Sequence, residues 1–311
     1  MNRQWPILSY ESGKATYETL QLWTQIVGKI KLATMPWANH SWNVTLHITS
    51  SGLTTQTMPY EGKHFQIDFD FHSHELVITT DQHQLERFYL GGLSVSGFYN
   101  QVFEALTGMG IQLSINKLPC EIMGKLTPFD QDHQHRSYEK DQAAAFHQAL
   151  LRIQDVFLIF RSAFSGKASP VHFFWGGFDL ALAFFSGRNA PRHPGKVPGM
   201  PDWVLQDAYN REVSDCGFFT GSETLPEAAF YCYLYPEPLG YKEAEVEPSQ
   251  AYYNQNMGEF ILPYSAVQKS EDPDTELLIF LKSTYEIGSR LAGWENGLWN
   301  YDAKPVAVVQ A

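Results

Sequence analysis

The amino-acid sequence predicts an α+β fold in which antiparallel sheets pack against helices. A few long segments repeat apolar residues every three or four positions, as amphipathic helices do, and several short segments alternate apolar and polar residues, as half-buried strands do. The predicted strands follow one another without intervening helices, which is typical of an antiparallel meander. The 311 residues suffice for one large domain or two ordinary domains with a sizeable core.

The N-terminal half, residues 1–125, is predicted to form a helix, a meander and a second helix. Residues 10–34 form the first helix, because their aromatic and aliphatic side chains recur at helical spacing. Predicted strands follow at residues 42–49, 64–71, 75–80 and 85–90. Residues 94–107 form the second helix with Ser94 as its N-cap, and residues 111–115 form a last short strand.

The C-terminal half, residues 126–311, is predicted to repeat this order. It begins with a helix over residues 141–164 and closes with a helix over residues 274–291. Predicted strands between them cover residues 171–175, 178–185, 229–235 and 259–262. A further helix is predicted over residues 203–214, with Asp202 as its N-cap.

The matching order of elements suggests two similar halves that arose by internal duplication. His40 and His172 each open the first predicted strand after a long helix, so a duplication would place them at equivalent positions. Helices and strands are common enough that a chance match is the alternative explanation.

The composition excludes some classes of partner. Charged residues make up 18% of the chain, aromatic residues make up 14%, and the formal net charge is −12. No cluster of Lys or Arg interrupts this acidic background, so we expect the protein to bind neither nucleic acid nor a membrane surface. The three cysteines lack the spacing of a zinc motif or a disulfide framework. Without an apolar leader at the N-terminus, the expected location is the cytoplasm.

Several segments together resemble one protein family. They include SPVHFFWGGFDLALAFFSGR followed by HPGKVPGMPDWV, and also YETLQLWTQIVGKIKLA, FDFHSHELVI, AFYCYLYPEP and GEFILPYSAV. On these segments the chain resembles the bacterial domain-of-unknown-function family 5996 over nearly its whole length. The resemblance implies a bacterial protein that forms one continuous unit. It implies no activity, and it therefore assigns no functional residue.

The segment from residue 165 to residue 203 carries the strongest functional signal. It sets a few ionisable side chains into a long aromatic and aliphatic run and a proline-rich loop: Lys167, His172, Asp179, Arg188 and His193. Burying a charge costs several kcal/mol unless the charge is paired. The segment therefore indicates either a binding or catalytic pocket or a buried polar network that only fixes the fold.

Two glycines at residues 176–177 predict a tight β-hairpin within this segment. In the resulting register Trp175 opposes Phe178, and His172 and Asp179 lie on the same face of the sheet beside small alanines. A carboxylate that orients an imidazole makes a general base, which predicts His172 and Asp179 as catalytic residues. The alternative is a buried pair that satisfies itself and has no ligand.

Six further residues are candidates for ligand binding: His40, Lys167, Trp175, Arg188, His193 and Glu212. The proline-rich loop over residues 186–202 is expected to carry Arg188 and His193 over the hairpin, and a guanidinium there would suit a carboxylate or phosphate. The predicted ligand is therefore a small molecule, and an anionic small molecule would suit Arg188. The alternatives are a loop whose Arg and His face water, and a Glu212 that forms a surface ion pair.

Two other patterns have ordinary explanations. Polar residues at every second position, Asp68, Asp70, His72 and His74, alternate with phenylalanines and could hold a divalent metal, but a solvated sheet face explains them better, and no metal site is predicted. Three tyrosines share one strand face: Tyr231, Tyr233 and Tyr235. They suit a cavity wall or a half-exposed sheet face equally well.

Three functions remain open at this point. The protein could be a metal-independent enzyme that uses His172 and Asp179 for proton transfer on a small acidic substrate. It could be a binding protein that uses the same pocket without catalysis, or an interaction module in which these residues form a structural network. The sequence identifies no cofactor and no oligomeric state.

Overall fold

The computed structural model describes residues 4–122, 124–197 and 199–295. It contains two antiparallel sheets packed by helices, so the predicted α+β class is confirmed. One continuous cluster of buried hydrophobic residues includes side chains from both halves of the chain, from Trp5 to Trp294.

The first sheet follows a long N-terminal helix. The elements are α1 (Tyr10–Thr34), a 3-10 helix (Asn39–Val44), β1 (His47–Ile48), β2 (Gly52–Thr54), β3 (Met58–Tyr60), β4 (Lys63–Asp70), β5 (Glu75–Thr80), β6 (Leu85–Tyr89) and α2 (Val95–Gly108). The strand order is β1-β2-β4-β5-β6, and β3 pairs with β4. Phe65, Ile67 and Phe69 of β4 are buried, while Gln66, Asp68 and Asp70 are partly exposed, as the alternating pattern predicts.

The second sheet follows α3 and is closed by α6. The elements are a 3-10 turn (Phe129–Gln131), α3 (Lys140–Ser162), β7 (Lys167–Ala168), β8 (His172–Phe174), β9 (Asp179–Asn189), α4 (Asp202–Ala208), β10 (Arg211–Phe219), β11 (Ala229–Tyr235), β12 (Tyr252–Asn254), β13 (Glu259–Pro263), α5 (Tyr264–Gln268) and α6 (Pro273–Leu291). The strand order is β12-β13-β11-β10-β9-β7, and β8 pairs with β9.

Locally encoded predictions are confirmed. Helix α1 begins and ends at the predicted residues, and the Ser94 hydroxyl accepts a hydrogen bond from the backbone of Gly97 as the N-cap of α2. In the hairpin His172 pairs with Ala181 and Phe174 with Asp179. The predicted Trp175–Phe178 pair is absent from the strand register, because both residues belong to the turn.

Three predicted elements are wrong. Residues 42–49 form a 3-10 helix and a two-residue strand instead of one strand, and residues 111–115 form no strand. The helix predicted over residues 203–214 ends at Ala208, and β10 begins at Arg211. Strand β10 escaped prediction because Asp and Gly, which are depleted in strands, occupy its centre.

The predicted duplication is not confirmed. The strands of the first sheet lie almost in sequence order, whereas in the second sheet β13 lies between β11 and β12. His40 lies in a 3-10 helix and His172 lies in β8, so the two histidines occupy different kinds of element.

The two faces of the second sheet differ in chemistry. One face is apolar and packs against α3 and α6; Phe184, for example, contacts Phe160 of α3 and Tyr285 of α6. The opposite face carries carboxyl groups, tyrosines and small residues, namely Asp179, Ala181, Asp215, Gly217, Tyr231 and Tyr233. This polar face forms the floor of the candidate site.

Helix α3 is the one described helix that is long and apolar enough to cross a membrane by length and composition, and half of its most apolar stretch is buried inside the fold. Its Phe146 ring stacks on Phe178 of the hairpin turn at 5.1 Å. In the fold, α3 therefore packs as a core helix.

Candidate functional site

A cavity of about 710 Å³ lies on the polar face of the second sheet. Its other walls are the C-terminal part of α1, the Asn39–Val44 helix, helix α4 and the segment from residue 114 to residue 121. The lining includes seven Phe, Tyr and Trp rings and three carboxyl groups, namely Trp37, Phe174, Trp175, Trp203, Tyr209, Tyr231, Tyr233, Glu121, Asp179 and Asp215. This volume suits a small organic molecule.

Strand register brings the tyrosines to the carboxyl groups. Gly217 of β10 lies between Ala181 of β9 and Tyr231 of β11. A side chain at Gly217 would overlap the Tyr231 ring, so the glycine leaves room for that ring to lie across β10. The Tyr231 hydroxyl thereby reaches Asp179 and donates a 2.6 Å hydrogen bond to its carboxylate.

Asp215 is the most buried carboxyl group of the cavity, with 4% of the residue exposed. It pairs with Tyr233 across the strands, but the hydroxyl of Tyr233 is hydrogen-bonded to Tyr209 at 2.7 Å. Within the described part of the chain, no group donates a hydrogen bond to the Asp215 carboxyl. Burial raises its pKa well above the ordinary value, and the charges of Asp179 and Glu259 raise it further.

The neighbouring acids also hold protons more tightly than usual. Burial raises the pKa of Asp179 to about 6, against the opposing effect of the Tyr231 hydrogen bond. Removal of the carboxyl groups from water, together with the charge of Asp179, raises the pKa of Glu121 to about 7 and that of Glu259 to about 8. Glu121 lies at the rim, where much of the residue is exposed while its carboxyl group lies against Gly176.

Trp175 is fixed in the wall by a glycine of α1. A side chain at Gly28 would overlap the indole ring, so the ring lies directly on the helix backbone. The indole nitrogen donates a 2.8 Å hydrogen bond to the carbonyl of Val44. Trp175 therefore ties α1, the Asn39–Val44 helix and the hairpin turn together beside the cavity.

Three cavity residues other than glycine adopt the left-handed backbone conformation. His40, Ser41 and Glu121 have φ values of 60°, 56° and 55°. Such residues cost free energy and tend to cluster at functional sites. The His40 amide donates to the carboxylate of Asp207 at 2.9 Å, which helps to hold this geometry. Burial lowers the pKa of His40 to about 4, so its ring is neutral at pH 7.

The structure brings three predicted site residues to the cavity: His40, Trp175 and Asp179. His172 shares a sheet face with Asp179 but does not line the cavity. Its Nδ1 hydrogen-bonds to the carbonyl of Pro170 at 2.8 Å, and its ring packs against Phe174 at 4.6 Å. The predicted His172–Asp179 hydrogen bond does not form, because Asp179 is bonded to Tyr231 instead.

The other four candidates lie outside the lining. Arg188 forms a 2.7 Å ion pair with Glu212 and donates to the carbonyls of Ala292 and Gly293. This is the ion pair that the sequence offered as the alternative for Glu212, and it secures the end of α6. The His193 ring stacks on the Tyr209 ring with centroids 4.9 Å apart, but His193 itself does not line the cavity. Lys167 is exposed on the edge strand β7.

The sequence does not identify the carboxyl groups of Glu121, Asp215 and Glu259 as site residues. It leaves the tyrosines as either a cavity wall or a half-exposed sheet face. Glu121 lies in an irregular segment, and Asp215 lies in β10, whose first four residues the sequence assigns to the end of a predicted helix. One signal was available: the stretch VSDCGFF alternates, with Val213, Asp215 and Gly217 on one face and Cys216 and Phe218 on the other.

Among the described residues, no group of three or more His, Cys, Asp or Glu side chains is arranged to hold a metal ion. Asp70 instead accepts hydrogen bonds from the backbone of His72 and Ser73 in the turn after β4. His74 contacts the Tyr138 hydroxyl at 3.0 Å.

Comparison with known proteins gives one match. The model of a family of unknown function, DUF5996, matches residues 5–300, nearly the whole chain. No curated protein and no solved structure matches significantly.

Proposed function

The chain belongs to DUF5996, a family of unknown function, and from the geometry of its cavity we propose that it binds a small organic molecule there. One observation carries the proposal: a cavity of about 710 Å³ beside a buried carboxyl group, Asp215, that has no donor among the described residues. Protein interiors are normally filled, and their buried polar groups are normally hydrogen-bonded. A bound molecule would satisfy both requirements.

The lining supports this proposal. Tyrosine and tryptophan rings offer apolar faces, while carboxyl and hydroxyl groups at defined positions would fix the orientation of a ligand. The left-handed residues His40 and Ser41 supply a second, independent indication of function. In this proposal Asp179 faces the ligand, and His172 packs against Phe174, a residue of the cavity wall.

Catalysis is a second candidate, favoured by the pKa values of two cavity acids. Asp179 and Glu121 have pKa values of about 6 and about 7, close to the pH at which a group can both accept and donate a proton. In this version Asp179 is the proton-transfer group. Binding without turnover remains the alternative, and it uses the same cavity.

A screen with a cavity-filling variant tests the proposed binding. A library of about one thousand fragments is screened by ligand-observed NMR against the wild-type protein and against Ala181→Phe, since Ala181 lies on the cavity floor. Val204→Trp narrows the cavity from α4 and serves as a second filled variant. Fragments that bind only the wild type support the proposal. If no fragment binds, or if both filled variants bind the same fragments equally well, the proposal fails.

A further measurement separates binding from catalysis. The tightest ligand is incubated with the protein, and its consumption is followed by NMR. Turnover that Asp179→Asn abolishes, with the ligand still bound, supports an enzyme. A ligand that remains unchanged supports a binding protein.

We also place the protein in the bacterial cytoplasm as part of this proposal. All three cysteines are free, including Cys216 and Cys232, which face each other across adjacent strands. Unpaired neighbouring cysteines suit a reducing compartment.

A further inference from the structure

Building on the proposed function, we infer that the ligand of this cavity is an organic cation, a protonated amine on an apolar body, whose ammonium group binds to Asp215. Three features of the cavity support this inference: the missing donor at Asp215, the signs of the charges around it, and the aromatic walls.

Asp215 needs a hydrogen-bond donor that the described chain does not supply. The residue is 4% exposed and faces the cavity. The hydroxyl of its cross-strand partner Tyr233 is in a hydrogen bond with Tyr209, and the Tyr231 hydroxyl donates to Asp179. A buried carboxylate without a donor is costly, and an ammonium group with several N–H donors would remove that cost.

The charges around the cavity favour a cation over an anion. Lys29 is the only Lys or Arg in the described lining, and its ammonium group donates to the carbonyl of Leu118 at 2.6 Å. After burial, the acidic side chains of Asp179 and Glu259 have the largest effect on the pKa of Asp215, and both raise it. Arg188, the residue that would suit an anion, is held by Glu212 outside the cavity. A carboxylate or phosphate ligand would meet repulsion here.

The aromatic lining suits the same kind of ligand. Trp37 and Trp203 lie in contact at the cavity with ring centroids 4.9 Å apart, and they remain 44% and 56% exposed. The faces of such rings attract cations and also cover apolar groups. Because the cavity of about 710 Å³ is far larger than an ammonium ion, the amine must carry an apolar body of several carbon atoms.

Binding of such an amine has a proton signature. The titratable groups around Asp215 are Asp179, Glu259, the hydroxyls of Tyr209, Tyr231 and Tyr233, and the Cys216 thiol. Burial raises the pKa of Asp215 in the empty cavity and thereby favours its protonated form. The arriving ammonium favours the carboxylate, so binding transfers that proton to the buffer.

The test uses two matched sets of probes. One set is 2-phenylethylamine, 2-phenylethanol and 3-phenylpropanoate, and the other is tryptamine, tryptophol and indole-3-propanoate. Isothermal titration calorimetry at pH 7 measures each affinity for the wild type, for Asp215→Asn and for the control Asp81→Asn. Asp81 is an exposed acid of the first sheet region that pairs with His64.

We expect each amine to bind the wild type at least about tenfold more tightly than its alcohol, and the carboxylates not to bind. Asp215→Asn should lower the affinity for the amines at least about tenfold and change the affinity for the alcohols by less than about threefold. Asp81→Asn should leave every affinity unchanged. In the wild type the binding enthalpy should differ between phosphate and Tris, because a proton is released. This last measurement needs no variant.

Each contrary result has a defined meaning. If the amines bind no better than their alcohols, or if Asp215→Asn binds them as well as the wild type does, the cation inference is wrong. If the alcohols or the carboxylates bind at least as tightly as the amines, and Ala181→Phe abolishes that binding, the cavity is a small-molecule site for another class of ligand. If no probe and no library fragment binds the cavity, both proposals fail.

Discussion

The hydroxyl of Tyr231 on β11 crosses Gly217 of β10 and donates a 2.6 Å hydrogen bond to Asp179 on β9. Three adjacent strands therefore contribute to a single contact. The glycine provides the space, the tyrosine provides the donor, and the aspartate directs its carboxylate into the cavity. The contact lowers the pKa of Asp179 against the upward effect of burial.

Tyr231→Phe should destabilise the protein in a pH-dependent way. The hydrogen bond stabilises ionised Asp179, so its loss raises the pKa of Asp179 above about 6. We expect the free energy of unfolding to fall by about 1–2 kcal/mol at pH 8 and by less at pH 5, where Asp179 is protonated in both proteins. Urea denaturation at both pH values measures this. Tyr252→Phe, at an exposed position, is the control. Equal losses at pH 5 and pH 8 would contradict the assignment.

Asp215→Asn should make the protein more stable at neutral and alkaline pH. The folded-state pKa of Asp215 is raised above the unfolded value, so the wild type loses stability as the pH rises from about 4 toward that raised pKa. Asparagine has no proton to lose, and the variant should lack this decline. We expect a melting temperature higher by about 2–4 °C at pH 8 and little difference at pH 4. A variant that melts earlier than the wild type at pH 8 would show that Asp215 has a stabilising partner.

Gly28→Ala should disturb the cavity wall. The new methyl group would overlap the indole ring of Trp175 and force it away from the Val44 carbonyl. We expect a loss of about 1–3 kcal/mol in unfolding free energy, together with a red shift in tryptophan fluorescence. Gly108→Ala is the matched control, because Gly108 also lies in a helix but has open space around it. Its stability should be unchanged or slightly higher. Similar losses in the two variants would contradict this role of Gly28.

His172→Ala should unfold more readily even though His172 does not line the cavity. The residue is 1% exposed, packs against Phe174 and bonds to the Pro170 carbonyl. Removal of the ring leaves a cavity in the core, which should lower the free energy of unfolding by about 2–4 kcal/mol. The control His133→Ala, at an exposed position, should have the same melting temperature as the wild type. A His172→Ala variant that keeps the wild-type melting temperature but no longer binds a ligand of the cavity would show that His172 belongs to the binding site.

The buried histidines also predict sensitivity to acid. Burial lowers the pKa of His172 to about 3, below its unfolded value, so the stability that depends on the neutral ring is complete above pH 6.5 and declines as the pH falls toward 3. Denaturation of the wild type and His172→Phe between pH 7 and pH 4 measures this slope. The variant should lose stability less steeply, and parallel slopes would contradict the prediction.

The parts of the fold that depend on local pattern could be predicted from the sequence. Helix α1 and the hairpin register are encoded by the spacing of apolar residues and by a glycine pair. Trp175 and Asp179 can be recognised as site candidates because they lie in an apolar segment with sparse ionisable residues, and His40 because it begins a predicted strand as His172 does.

The rest of the site depends on contacts that a local pattern does not encode. Strand β10 places Asp215 at the centre of the sheet only through pairing with β9 and β11. Glu121 follows Cys120, whose backbone is held by the side-chain amide of Gln25 on α1. These partners are distant in sequence, so the carboxyl groups could be located only from the structure.

A crystal structure grown with 2-phenylethylamine or tryptamine would test the central claim, a small-molecule site at this cavity, most directly. We predict electron density for the amine within the cavity, with its nitrogen about 2.7–3.1 Å from an oxygen of Asp215 and its ring beside Trp37 or Trp203. A cavity that has closed around reoriented side chains, with the amine bound elsewhere or absent at saturating concentration, would contradict the claim.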